Sequence, residues 1–161
     1  MNSSISDNSR VWVYLSDKEL SAEEEQMITA DLHLFLTEWK AHGTPLATAS
    51  QLTQQRFIII AVDEDVYAAS GCSIDKQLQF IKETEKKYNI HLLNRLLVAY
   101  QQNNKVEVIH SSKVQALLNE GVLNENTLVY NTAVSTGKEF KQVFVSPLKQ
   151  TWLNRFITHK V

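Results

Sequence analysis

Leu46-Ala47-Thr48-Ala49-Ser50-Gln51-Leu52 decides the fold, because two readings of it lead to two architectures. It follows Pro45 and precedes Gln54-Gln55 and the apolar run Arg56-Phe57-Ile58-Ile59-Ile60-Ala61-Val62. The second run is the strongest strand signal in the chain, and its unbroken apolar character points to burial on both faces. If residues 46–52 are a strand, Gln54-Gln55 is a turn and the two runs form an antiparallel pair. If they are only loop, the apolar run belongs in a doubly wound parallel sheet. Residues 46–52 read as a modest strand.

Upstream, Val11-Trp12-Val13-Tyr14-Leu15 is β-branched and aromatic and reads as a first strand. Ser21 and Glu24 then form a capping box, with Glu23, Glu24 and Glu25 at the positive end of the helix dipole. Ile28, Leu32, Phe35, Leu36 and Trp39 lie on one face of that helix, and Gly43 reads as its terminator.

Downstream, a second helix spans about 73–88, with Ile74, Leu78, Ile81 and Tyr88 on its buried face. Residues 92–100 read as helix or strand. Asn103-Asn104 is a turn, and Val106 to Ile109 returns as a strand. Ser112 with Gln115 suggests a short capped helix that Gly121 closes. Leu128 to Val134 reads as a strand, Ser135 to Lys138 as a turn, and Val143-Phe144-Val145 as its return. Ser146-Pro147 then starts a last helix that buries Trp152 and Phe156.

Strand, helix, strand, strand, helix, strand up to about residue 102 matches a ferredoxin-like split βαβ. The expected class is α+β: a mostly antiparallel sheet with helices on one face, plus a C-terminal β/α extension. At 161 residues one domain is expected, spanning 10–161 behind a disordered lead at 1–9.

Hydrophobic residues make up 43% and charged residues 21%, with a formal net charge of −2. No overall field draws the chain to nucleic acid or anionic membrane. No run approaches a membrane span, and the first residues lack the basic and apolar regions of a signal peptide. A single cysteine fits a reducing, cytoplasmic setting. The sequence leaves homo-oligomerisation open. The five histidines form no pair at metal-ligand spacing, so neither a zinc site nor any other cofactor is implied.

The chemically distinctive stretch is Ser70-Gly71-Cys72-Ser73-Ile74-Asp75, between the apolar run and the second helix. A thiol near a helix N-terminus has a lowered pKa, and His42 and Asp63 supply a candidate base and orienter for Cys72. Ser70, Gly71, Ser73 and Asp75 form a candidate anion or ligand turn. The plainer reading is a helix cap, with Gly71 shaping the turn and His42 in the last turn of the first helix. Asp63, Glu64 and Asp65 read as a solvated edge rather than a cation site.

Trp39-x-x-His42-Gly43-x-x-Leu46, Arg56-Phe57-x-x-x-Ala61-Val62-Asp63-Glu64 and the 70–75 string resemble a small bacterial family of uncharacterised proteins. Its members are often labelled ABC transporter ATPases. The similarity extends over most of the chain and includes Trp152 and Phe156. The family brings no established reaction, cofactor or residue roles. A P-loop needs Gly-x-x-x-x-Gly-Lys-Ser/Thr to cradle phosphates and reach magnesium. Around Gly137-Lys138 the first glycine position holds Thr132 and the last position Glu139. The expected function is therefore a module that binds a small molecule or a protein partner at the 70–75 turn. The alternatives are a thiol-dependent or redox-responsive protein using Cys72 and, third, nucleotide hydrolysis.

Overall fold

The computed structural model describes residues 5–158. Residues 46–52 resolve as strand. Thr48–Thr53 (β4) pairs antiparallel with Phe57–Val62 (β5), from Thr48 opposite Val62 to Thr53 opposite Phe57. Gln54 and Gln55 have φ of 57° and 56°, the doubly left-handed conformation whose twist matches a tight hairpin. Arg10–Leu15 (β1) pairs along the other side of β5, so the order is β1-β5-β4. Every residue of β5 is buried. Ile58, Ile60 and Val62 enter one core, and Phe57, Ile59 and Ala61 enter another. The unbroken apolar run follows from that two-sided burial.

The first core is covered by Ala22–Glu38 (α1) and Gly71–Tyr88 (α2). The Ser21–Glu24 capping box is formed, and Ile28, Leu32 and Leu36 are buried. The helix stops at Glu38, earlier than Gly43 implies. Lys40–Ala41 (β2) and Thr44–Pro45 (β3) then make a small hairpin whose turn is His42-Gly43, both at positive φ. His42 is therefore a turn residue, not part of the helix, and Gly43 supplies the turn's left-handed backbone.

The buried stripe of α2 is Ser73, Gln77, Ile81, Thr84 and Tyr88 rather than Ile74, Leu78, Ile81 and Tyr88. Its polar members are tolerated because they bond. The Ser73 hydroxyl donates to the Ser70 carbonyl at 2.8 Å, Gln77 Nε2 donates to the Tyr14 hydroxyl at 2.7 Å, and the Thr84 hydroxyl donates to the Phe80 carbonyl. Leu78 is left on the surface.

Beyond the other face of β5 lies a second antiparallel sheet. Leu97–Gln102 (β6), Lys105–His110 (β7), Leu128–Tyr130 (β8) and Val145–Pro147 (β9) follow the order β7-β6-β8-β9. The strand that would complete a four-stranded split βαβ sheet beside β1 is β6, and it bonds to β7 and β8 instead. Ala99 with Leu97, Val106 and Val108 packs toward β5, while Val98 and Tyr100 point to the opposite face. That opposite face is covered by Val114–Asn119 (α3), Leu148, Leu153 and Asn154–Thr158 (α5). The class is α+β, each sheet carrying helices on its outer face.

Several local expectations change. Gly137–Val143 is a helix (α4), so residues 135–138 open a helix rather than a hairpin. Ser146-Pro147 belongs to β9, and Trp152 is 52% exposed rather than core. The Ser112–Gln115 box is replaced by His110 Nδ1, which accepts the Ser112 N–H at 3.2 Å.

The expected lead is ordered from residue 5 on; residues 1–4 lie outside the described part. Ile5 is 1% exposed against Phe140 and Phe144, so burial offsets the entropy of fixing it. The Ser9 and Asp7 carbonyls accept the Gly137 and Lys138 N–H groups.

Candidate functional site

The residues singled out by sequence do not form one constellation. Cys72 is exposed on the first turn of α2, His42 sits in the β2–β3 turn, and Asp63 follows β5. No hydrogen bond or ion pair joins any two of them among the described residues. A Cys-His-Asp relay is not assembled. Asp63 Oδ1 accepts the Asp65 N–H, Glu64 Oε2 accepts the Ala69 N–H, and Asp65 Oδ2 accepts from the Asn8 amide. These acids stabilise their own loop. Among the described residues no group of three His, Cys, Asp or Glu side chains is placed to hold a metal ion.

The 70–75 turn is a complete cap. The Ser73 N–H donates to Ser70 Oγ at 3.2 Å, and the Ser70 N–H donates to Ser73 Oγ at 2.8 Å. The Ser73 hydroxyl donates on to the Ser70 carbonyl at 2.8 Å. Both serines are thus engaged in starting the helix. Gly71 has an ordinary φ and no neighbour crowding its Cβ position, so neither a left-handed turn nor a close approach requires glycine there. Asp75 is exposed but lies beyond the first turn of α2, which holds no acidic residue. At Gly137-Lys138 the helix amides are likewise taken by Ser9 and Asp7, with Glu139 N–H on Thr136 Oγ1. That leaves no cradle for phosphates.

A concavity lies elsewhere. A cleft of about 620 Å³ runs along the outer edge of β1. Ile74, Gln77 and Leu78 of α2 form one wall, residues 92–98 and 129–135 another, and Trp152 lies at its margin. This is the space left because β6 pairs into the second sheet.

The edge of β1 is open there. The Val11 N–H donates to the Ser135 carbonyl at 2.9 Å, and the Gly137 N–H donates to the Ser9 carbonyl. Odd residues of β1 therefore turn their backbone groups away from β5, and even residues bond to it. The same alternation aims the Val13 N–H and carbonyl and the Leu15 N–H at the cleft, and no partner meets them among the described residues.

Polar side chains punctuate the apolar lining. Gln77 is 1% exposed, and its Oε1 is buried without a hydrogen-bond partner. Burial raises the Tyr14 hydroxyl pKa, opposed by the bond from Gln77. Arg10 lies 5.0 Å from the Trp12 ring centroid, and Arg95 follows the loop tied to Asp17 just past β1. Arg10 and Arg95 are among the residues that line the cleft, no acidic residue is, and neither arginine forms an ion pair among the described residues. The signal for this site in the sequence is faint: one glutamine on a buried helical stripe and two separated arginines.

No family model, curated protein or solved structure matches the chain.

Proposed function

We propose that the chain is a non-catalytic binding module whose site is the cleft along β1. Its ligand combines an apolar body with an anionic group. The observation that carries this reading is the lining: two arginines, no acidic residue, and largely apolar walls around 620 Å³. That volume lies in the range of sites that enclose a small ligand or a short segment of a larger one. An arginine gives a carboxylate or sulfonate paired donors in a fixed fork. The 70–75 turn adjoins this site through Ile74. A thiol reaction at Cys72 has weaker support, since its sulfur is exposed with neither His42 nor Asp63 bonded to it.

Titration with the apolar anionic dye anilinonaphthalene sulfonate tests the reading. Saturable binding to the cooperatively folded protein is expected, weakened by at least about tenfold in Arg10→Gln/Arg95→Gln, the loss expected of a charge-assisted contact. No binding, or binding indifferent to both arginines, contradicts it.

A further inference from the structure

The cleft has a backbone side as well as a side-chain side. We propose that its occupant is an extended peptide segment of another protein that adds as a strand to the outer edge of β1; this rests on the cleft being the binding site.

Three observations meet at this edge. The Val13 N–H and carbonyl and the Leu15 N–H point into the cleft without partners among the described residues, spaced as the rungs of a β ladder. Isolated unpaired groups on an edge strand are ordinary, but here they open into a concavity walled on both sides. The walls differ in origin and share chemistry. Ile74 and Leu78 stand on the α2 side, Leu97 and Tyr130 on the side of the second sheet. A strand placed there has both faces covered by hydrocarbon, as β5 has.

The ends are matched in charge. Arg10 begins β1, and Arg95 follows His91, whose carbonyl accepts the Asp17 N–H just past the other end of β1. An anionic side chain or a terminal carboxylate on the segment meets a guanidinium at either end, and no acid in the lining repels it. A chain of net charge −2 that keeps two unpaired arginines and no carboxylate at one cleft is selective for an acidic partner. In strand addition the main chain supplies affinity, and side-chain pockets supply selectivity.

The probe is a pool of hexapeptides, acetyl-Thr-X-Thr-X-Thr-Asp, with X being Val, Ile, Leu or Phe. It is applied to the full chain and read by displacement of anilinonaphthalene sulfonate and by direct calorimetry. The same pool is prepared N-methylated at the X amides and, separately, at the Thr amides. Only alternate amides of a strand face β1, so methylation of at least one set is expected to weaken binding at least about tenfold. Failure of the pool to bind, or methylation effects below about threefold for both sets, overturns strand addition. If the dye still binds in an arginine-dependent way, the cleft remains the site and only the peptide is wrong. If dye and pool both fail, both readings fall.

Discussion

Gln77 Nε2 donates a 2.7 Å hydrogen bond to the Tyr14 hydroxyl, joining α2 to β1 across 63 residues of sequence. The bond satisfies the amide nitrogen but leaves the amide oxygen buried without a partner among the described residues. An unmet acceptor of this kind costs about 1–3 kcal/mol.

Replacing the two partners separates these contributions. Tyr14→Phe strands the amide nitrogen as well and is expected to destabilise by about 1–3 kcal/mol. Gln77→Leu removes both amide atoms and is expected to stay within about 1 kcal/mol of the parent. The double variant should therefore be more stable than Tyr14→Phe alone. Urea unfolding of the set measures the coupling, and additive losses contradict this account.

Burial raises the hydroxyl pKa values of Tyr14, Tyr88, Tyr100 and Tyr130, with Asp31 and Glu107 adding to it at Tyr88 and Tyr100. The folded state thus holds these protons more tightly than the unfolded chain does. The stability they contribute is complete below the free tyrosine value of about 10, and it is lost as pH rises through the folded values. Unfolding midpoints should fall between about pH 9 and about pH 11, less steeply in Tyr14→Phe. An unchanged slope in that variant removes Tyr14 from the explanation.

Gly137 is where the lead and α4 touch. A Cβ there collides with the Ser6 carbonyl and crowds Ile5. Gly137→Ala is expected to displace residues 5–9, unbury Ile5, and cost about 2 kcal/mol, the value of one large aliphatic side chain. Faster proteolysis near residue 6 should accompany the loss. A variant as stable and as resistant as the parent contradicts the packing described.

The alternation along β1 makes a prediction about proline. Position 13 turns its N–H away from β5, whereas position 12 bonds to it. Val13→Pro should therefore cost no more than about 1 kcal/mol beyond Val13→Ala, since proline is tolerated on an open edge. Trp12→Pro should cost about 3 kcal/mol beyond Trp12→Ala, because it removes a ladder bond. Thermal melts of the four variants decide the phase of the strand, and the reverse order refutes it.

Local signals in the chain carried the elements well where one physical cause dominated. The run at 57–62 is apolar because both its faces are covered, and the Ser21–Glu24 box starts α1 because both side chains reach back to the turn. The phase of α2 was hidden because hydrogen bonds, not hydrocarbon, fill part of its buried stripe, at Ser73, Gln77 and Thr84. The partner of β6 was hidden for a different reason. Its residues fit either sheet, and the choice is made by β7 and β8, remote pairings that no periodicity records. The lone cysteine drew the eye by rarity, yet the cleft is assembled from ordinary residues in five separated segments: 10–15, 74–78, 92–98, 129–135 and 151–153. Each segment alone reads as strand, helix or loop, and only their convergence beside an unpaired edge makes a site.

The most direct measurement is amide hydrogen exchange of β1, residue by residue, with and without the hexapeptide pool. In the free protein the Val13 N–H is expected to exchange at least about tenfold faster than those of Trp12 and Tyr14, which bond to β5, and to slow when the pool is added. A Val13 amide already as protected as its neighbours, or one whose exchange the pool leaves untouched, contradicts an open strand edge as the place where this protein meets its partner.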